Sequence, residues 1–163
     1  MTSSSAALLC GSFKEGFGKE VSPYRRVLAA IDNSYMSAKV FERALLLSQR
    51  SCSVLYAVNV IQTKLPYANS SPVAVDPAYH DLMRSNSKAL FEVVLRKAKE
   101  AGVNVTPVQL DGDPAEEILK FALDNDVELI VVGSKDKLGS IKNLGSVSSR
   151  IAIEAKCAVL IER

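Results

Sequence analysis

Histidine and cysteine are scarce in this chain. His80 is the only histidine, and the three cysteines, Cys10, Cys52 and Cys157, lie far apart with no C-x-x-C pair. A zinc site draws on several such ligands at close spacing, so none is expected. An odd, scattered cysteine count also argues against a secreted disulfide framework; buried apolar thiols in a reducing cytosol fit better. Neither sign of charge dominates: 20 Lys and Arg stand against 18 Asp and Glu, a net of +2, interspersed rather than clustered. Nucleic-acid binding leaves a concentrated basic face, so no nucleic-acid partner is expected. No apolar run approaches the length of a membrane span. The short AALL run before Cys10 lacks the basic flank and the length of a secretory signal, and Leu9 is too large for the position before a lipoprotein cysteine. Residues 1–22 read as a flexible polar leader and 23–163 as a single domain of a cytoplasmic protein.

What is present after the leader is a regular alternation. RVLAAI (26–31) is a short apolar run ending at Asp32-Asn33-Ser34, the pattern of a buried strand. Val40, Phe41, Ala44, Leu47 and Ser48 then recur at helical spacing over 37–49, with Ser34 or Ser37 as the cap. SVLYAVNV (53–60) is a second strand. Residues 61–77 hold Pro66, Pro72 and Pro77 and read as a long mobile loop. A helix over 78–101 follows, with Leu82, Leu90, Val93, Val94 and Ala101 as its stripe and Gly102 as its stop. VNVTPVQL (103–110) is a third strand, and Pro107 assigns it to a sheet edge because proline donates nothing to a ladder. Asp113, Pro114 and Glu116 open the next helix as cap, first position and capping-box partner, with Ile118, Leu119, Ala122 and Leu123 as its buried face. LIVV (129–132) is apolar on both faces, as a central parallel strand must be. Val147, Ile151 and Ala155 mark a last helix, and AVLI (158–161) is a fifth strand.

Such an alternation predicts an α/β fold: a doubly wound, five-stranded parallel sheet of order 3-2-1-4-5 with helices on both faces. Ligands of such folds bind beyond the carboxyl ends of the strands where the winding reverses, here between strands one and four. Asp32-Asn33-Ser34 and Gly133-Ser134-Lys135 lie at that point. Asp32 is placed to accept hydrogen bonds from ribose hydroxyls. Gly133, Gly139 and Gly145 permit close backbone approach, and Gly145-Ser146 opens the last helix, whose first amides near Ser146, Val147 and Ser148 have no helical partners and attract an anion. Lys135, Lys137 and Lys142 carry charge suited to phosphate. The plainer alternative stays open: strand-to-helix loops are commonly rich in Gly and Ser, and Asp32 and Ser146 are competent as simple helix caps. Neither a P-loop nor a G-x-G-x-x-G dinucleotide loop is present.

The segments RRVLAAIDNS, VLYAVNVI, GDPAEEILKFA, LIVVGS and LGSVSSRIAIEAKCAVLIER, in that order, resemble the universal stress protein family over 24–163. The resemblance implies ATP across the switch point, with Mg2+ present only as its companion. Carried over by position, Asp32 faces the ribose, backbone near Val60 meets the adenine, and Gly133, Gly145, Ser146 and Ser148 surround the phosphates. The full candidate set adds Ala30, Val132, Asp136 and Val147. The resemblance also implies a homodimer through the last strand. The sequence departs from the family's ATP loop, G-x-x-G, nine residues, G-[ST], at two points. Asp136 replaces the second glycine, and eight residues rather than nine separate it from Gly145. A carboxylate there repels a triphosphate. Two readings follow: a stress-response module that binds an adenine nucleotide and acts by ligand-dependent association, or an interaction protein of the same family that acts through dimerisation and unknown protein partners without ATP. No nucleophile with a base, and no metal set beyond Asp32 and Asp136, points to catalysis, so no enzyme is expected; slow ATP hydrolysis is a third, weaker reading. His80 reads as a solvated side chain.

Overall fold

The computed structural model describes residues 24–68, 71–74, 76–134 and 144–163, with the backbone alone for 64–68 and 71–74. Its elements in chain order are β1 (Arg26–Ala30), α1 (Tyr35–Ser51), β2 (Val54–Gln62), β3 (Lys64–Ala68), β4 (Ser71–Ala74), α2 (Pro77–Ala101), β5 (Val105–Gly112), α3 (Pro114–Asp124), β6 (Leu129–Gly133), α4 (Ser146–Glu154) and β7 (Ala158–Glu162). The main sheet has the order β5-β2-β1-β6-β7, all parallel. Counting only its own strands, that is 3-2-1-4-5, as the alternation and Pro107 required. Pro107 lies opposite Ala57 on the edge strand β5, where only one side of the strand is paired.

Strand alternation divides the core into two layers. Val27, Ala29, Leu55, Ala57 and Val131 face α1 and α2 and pack with Val40, Phe41, Ala44, Val94 and Ala98. Leu28, Val58, Ile130 and Val132 face the other way, onto Ala115, Ile118 and Ala122 of α3 and Ile151 of α4. Both faces of the central strands are covered, which is why they read as unbroken apolar runs.

Local chemistry fixes the helix ends. Asp76 caps α2, its Oδ1 accepting from the Ala78 amide at 2.7 Å, with Pro77 at the first position. Asp113 caps α3, its Oδ1 accepting from the Glu116 amide at 2.9 Å, with Pro114 next. Gly102 ends α2 at φ +68°, a left-handed turn that other residues adopt only at a cost.

Three expectations are corrected. The 61–77 stretch is not one long loop: β2 continues to Gln62, and β3 and β4 form an antiparallel ribbon. Two-stranded ribbons leave each strand one unpaired side, so Pro66 and Pro72 are tolerated. The apolar stripes are also narrower than periodicity suggests. Leu82 is 55% exposed, Val93 43% and Leu123 67%, while the most buried position of α2 is Ser87. Finally, neither described cysteine is a buried thiol: Cys52, exposed at the C-cap of α1, is disulfide-bonded, against the expectation of thiols alone, and Cys157 is a free cysteine, half-buried before β7.

Candidate functional site

A cavity of about 550 Å³ opens at the carboxyl ends of β1, β2 and β6, where the winding reverses. That volume lies within the range of small-molecule sites. Ala30, Asp32, Val60, Val132, Gly133, Gly145, Ser146, Val147 and Ser148 all line it. Asp136, Gly139 and the lysines 135, 137 and 142 lie outside the described residues.

At the end of β1 the polar groups are tied to one another. The Asp32 amide donates to Ser37 Oγ at 2.6 Å, and Ser37 Oγ donates to Asp32 Oδ1 at 2.6 Å. The Ser34 amide donates to the same Oδ1 at 2.8 Å. Ser37 is buried in the first turn of α1, so the carboxylate is held in place by the helix it precedes. Ser34 is the N-cap residue, and its side chain makes no cap bond. Asp32 and Ser37 instead tie the turn before α1 to the first turn of the helix.

Beneath this corner sits Asn59, buried in β2, whose Nδ2 donates to the Ile31 carbonyl at 2.8 Å. The Ile31 amide in turn donates to the Val58 carbonyl at 2.9 Å. A buried polar side chain is costly unless paired, and here the pairing fixes the backbone immediately before Asp32. Sequence reasoning passed over Asn59. Its signal was available, as the one amide side chain in the otherwise apolar run VLYAVNVI.

Gly133 serves packing. A Cβ there would stand 2.4 Å from Met36 Cγ and 3.2 Å from Val40 Cγ2. The start of α1 therefore lies directly on the end of β6, closer than any side chain at 133 allows without displacement. The next residue is anchored too, since the Ser134 amide donates to the Glu162 carbonyl of β7 at 2.8 Å.

The α4 end is built differently. Gly145 is the N-cap with extended backbone (φ −62°, ψ 160°) and supplies no side-chain cap bond. The first amides of a helix have no intrahelical acceptors, and the helix dipole adds partial positive charge there. Ser148 is buried, and its Oγ donates to the Gly145 carbonyl at 3.0 Å. Its proton is thus committed to the cap, which leaves the backbone amides and Ser146 as the donors directed at the cavity mouth.

Two lining residues come from α2: Tyr79 and Met83. The first turns of that helix are fastened to the end of β5. Arg84 Nη2 lies 2.6 Å from Asp111 Oδ2, His80 Nε2 lies 3.3 Å from Asp111 Oδ1, and Arg84 Nε donates to His80 Nδ1 at 3.3 Å. His80 is therefore a member of a polar cluster rather than a lone solvated ring. Among the described residues no group of three His, Cys, Asp or Glu side chains could hold a metal ion. No described helix is long and apolar enough to cross a membrane.

A doubly wound parallel sheet with an open cavity at its switch point defines the class of protein: an α/β fold of the kind whose ligands bind above the ends of the central strands. The universal stress protein family model matches residues 23–163, so the chain belongs to that family. It is 34% identical over 148 residues to the universal stress protein YxiE of Bacillus subtilis, covering 86% of this chain and 99% of that protein. Among solved structures, UspA of Lactobacillus plantarum superposes with a TM-score of 0.70 at 20% identity, over 86% of this chain and 98% of the other. A universal stress protein in complex with cAMP superposes with a TM-score of 0.67 at 26% identity, over 86% and 98% of the two chains.

Proposed function

We propose that this protein is a cytoplasmic stress-response module that binds an adenine nucleotide, ATP foremost, in the switch-point cavity and acts by ligand-dependent association rather than by catalysis. The observation that carries the reading is the pairing of opposite chemistries across one cavity. A fixed carboxylate, Asp32, stands at the β1 end, and the α4 helix start, with no side-chain cap, stands at the other. Ribose hydroxyls suit the first and phosphates the second. Ala30, Val60, Val132 and Val147 supply the apolar lining between them, and Gly133, Gly145, Ser146 and Ser148 the backbone that meets the phosphates. Mg2+ enters only with ATP. The family relative solved with cAMP supports an adenine nucleotide as the ligand class.

Asp136 and the shortened loop favour a second reading, in which the chain associates with itself and with protein partners without nucleotide. Calorimetric titration with Mg-ATP, after extraction of any co-purified nucleotide, separates the two. Micromolar binding is expected; no heat at millimolar ATP leaves only the second reading. In both, β7 is the pairing surface. It forms one edge of the sheet and, among the described residues, pairs only with β6, and an unpaired apolar edge is a template for another strand. Val159→Pro is expected to give monomer or insoluble protein by gel filtration, and an unchanged dimer would count against this interface.

A further inference from the structure

We infer that Tyr79 is a specificity-determining residue for the base of the ligand, an aromatic platform carried on α2; the inference rests on the nucleotide reading above. The cavity has two unlike sides. The α4 side offers amides, whereas the α2 side offers Ile61, Tyr79 and Met83. Tyr79 and Met83 are one turn apart, so they share one face of α2. Asn59 and Ile61 lie on the face of β2 that carries Leu55 and Ala57 towards α1 and α2, so α2 closes the cavity on that side.

Tyr79 is 47% exposed although it lines a cavity, and it makes no ring contact among the described residues. An uncovered aromatic ring beside a polarisable thioether is a surface for a flat, electron-rich ring. The support beneath it is firm: Asp76 caps α2, and the Asp111 carboxylate holds both His80 and Arg84, the residues that follow Tyr79 and Met83. The platform is thus positioned before any ligand arrives. Stacking accepts every base, so the ligand class is a nucleotide with an aromatic base as opposed to a bare polyphosphate or a sugar phosphate.

The test is a calorimetric titration of the full chain and its Tyr79→Ala and Tyr79→Phe variants with Mg-ATP and, separately, with inorganic tripolyphosphate. Tyr79→Ala is expected to weaken ATP binding by about five- to 150-fold, the range found for loss of one base–aromatic stack. Tyr79→Phe is expected to retain the wild-type affinity, and tripolyphosphate binding is expected to be the same in all three. The chain holds no tryptophan, so Tyr79→Trp adds a single indole whose fluorescence should be quenched by ATP and not by tripolyphosphate. Equal ATP affinity in wild type and Tyr79→Ala overturns the platform while the nucleotide reading stands. Equal losses in the Ala and Phe variants overturn it also, by moving the interaction to the hydroxyl. A wild-type chain that does not bind ATP removes both readings together.

Discussion

The two ends of the cavity are finished to different degrees. At the β1 end every polar contact described closes inside the protein: Asp32 with Ser34 and Ser37, Asn59 with Ile31, and Ile31 with Val58. At the α4 end the one committed hydroxyl, Ser148, turns back to the Gly145 carbonyl, and no side chain caps the helix start. One end is a rigid fixture whose geometry the fold determines. The other holds backbone donors in a position where an external acceptor lowers the free energy. A site with this asymmetry orients its ligand from one end and gains binding strength at the other.

The largest expected effect comes from closing the open end. Gly145 has the extended backbone that an N-cap aspartate adopts without strain. Gly145→Asp should place a carboxylate on the α4 amides. Stability is expected to rise by a few tenths of a kcal/mol, roughly the difference between Gly and Asp caps. ATP affinity is expected to fall by at least about tenfold, since each hydrogen bond to a charged group is worth about 1.5–3 kcal/mol. The opposite signs are the informative part. A variant that is more stable and binds ATP unchanged would show that the phosphates do not use this helix.

Weakening the finished end should act the other way round. Asn59→Ala removes the donor to the buried Ile31 carbonyl. The expected cost is about 1–3 kcal/mol of folding stability, read from the urea midpoint. Nucleotide affinity should drop as well, because the backbone that carries Asp32 loses its anchor. If stability falls and affinity does not, the fixture is structural only. A related test uses Gly133. Gly133→Ala should cost about 1–3 kcal/mol through overpacking against Met36, and the double variant with Met36→Ala should recover part of it.

These contrasts also show what the sequence could reveal. Strand order was legible because Pro107, the two-sided apolar run at 129–132 and the caps Asp113 and Gly102 each act through local chemistry. Asp32, Gly133 and Gly145 could be placed because the switch-point rule converts topology into position. Tyr79 and Met83 could not, and of Asn59 only its oddity in an apolar run was visible, not its partner. Their roles depend on neighbours distant in sequence or on which face of a helix the packing selects. Helix α2 illustrates the second cause: it carries more apolar residues than one face can bury, and only contact with the sheet decides that Leu82 and Val93 face outward while Ser87 goes in. The role of Gly133 was legible only in part, since its loop position suggested close approach by a ligand and the structure adds close approach by Met36.

The smallest effect is a titration that links the cavity to the sheet edge. Arg43 of α1 holds Glu162 of β7, with Nε 2.9 Å from Oε2 and Nη2 3.3 Å from Oε1. The guanidinium hydrogen bond, with its charge, keeps the Glu162 carboxyl below the usual range. A carboxylate whose pKa is depressed on folding contributes stability above its unfolded pKa and loses that contribution as pH falls through the folded one. Stability should therefore decline on acidification below the ordinary carboxylate range. The Arg43 side chain is 46% exposed and that of Glu162 16%, so solvent reaches the pair from one side and the decline is expected to be slight and weakened by salt. Arg43→Ala should raise the Glu162 pKa, as followed by carboxyl NMR, and flatten the pH dependence. The Glu162 carbonyl accepts from the Ser134 amide, and Gly133 pairs with Glu162 across the sheet. The residue that ends the outer strand thus holds Ser134, the residue that follows β6. If Arg43→Ala changes ATP affinity as well as the titration, the edge where a second copy would pair and the open end of the cavity are mechanically joined. If only the titration moves, the ion pair is a surface contact and the two regions act independently.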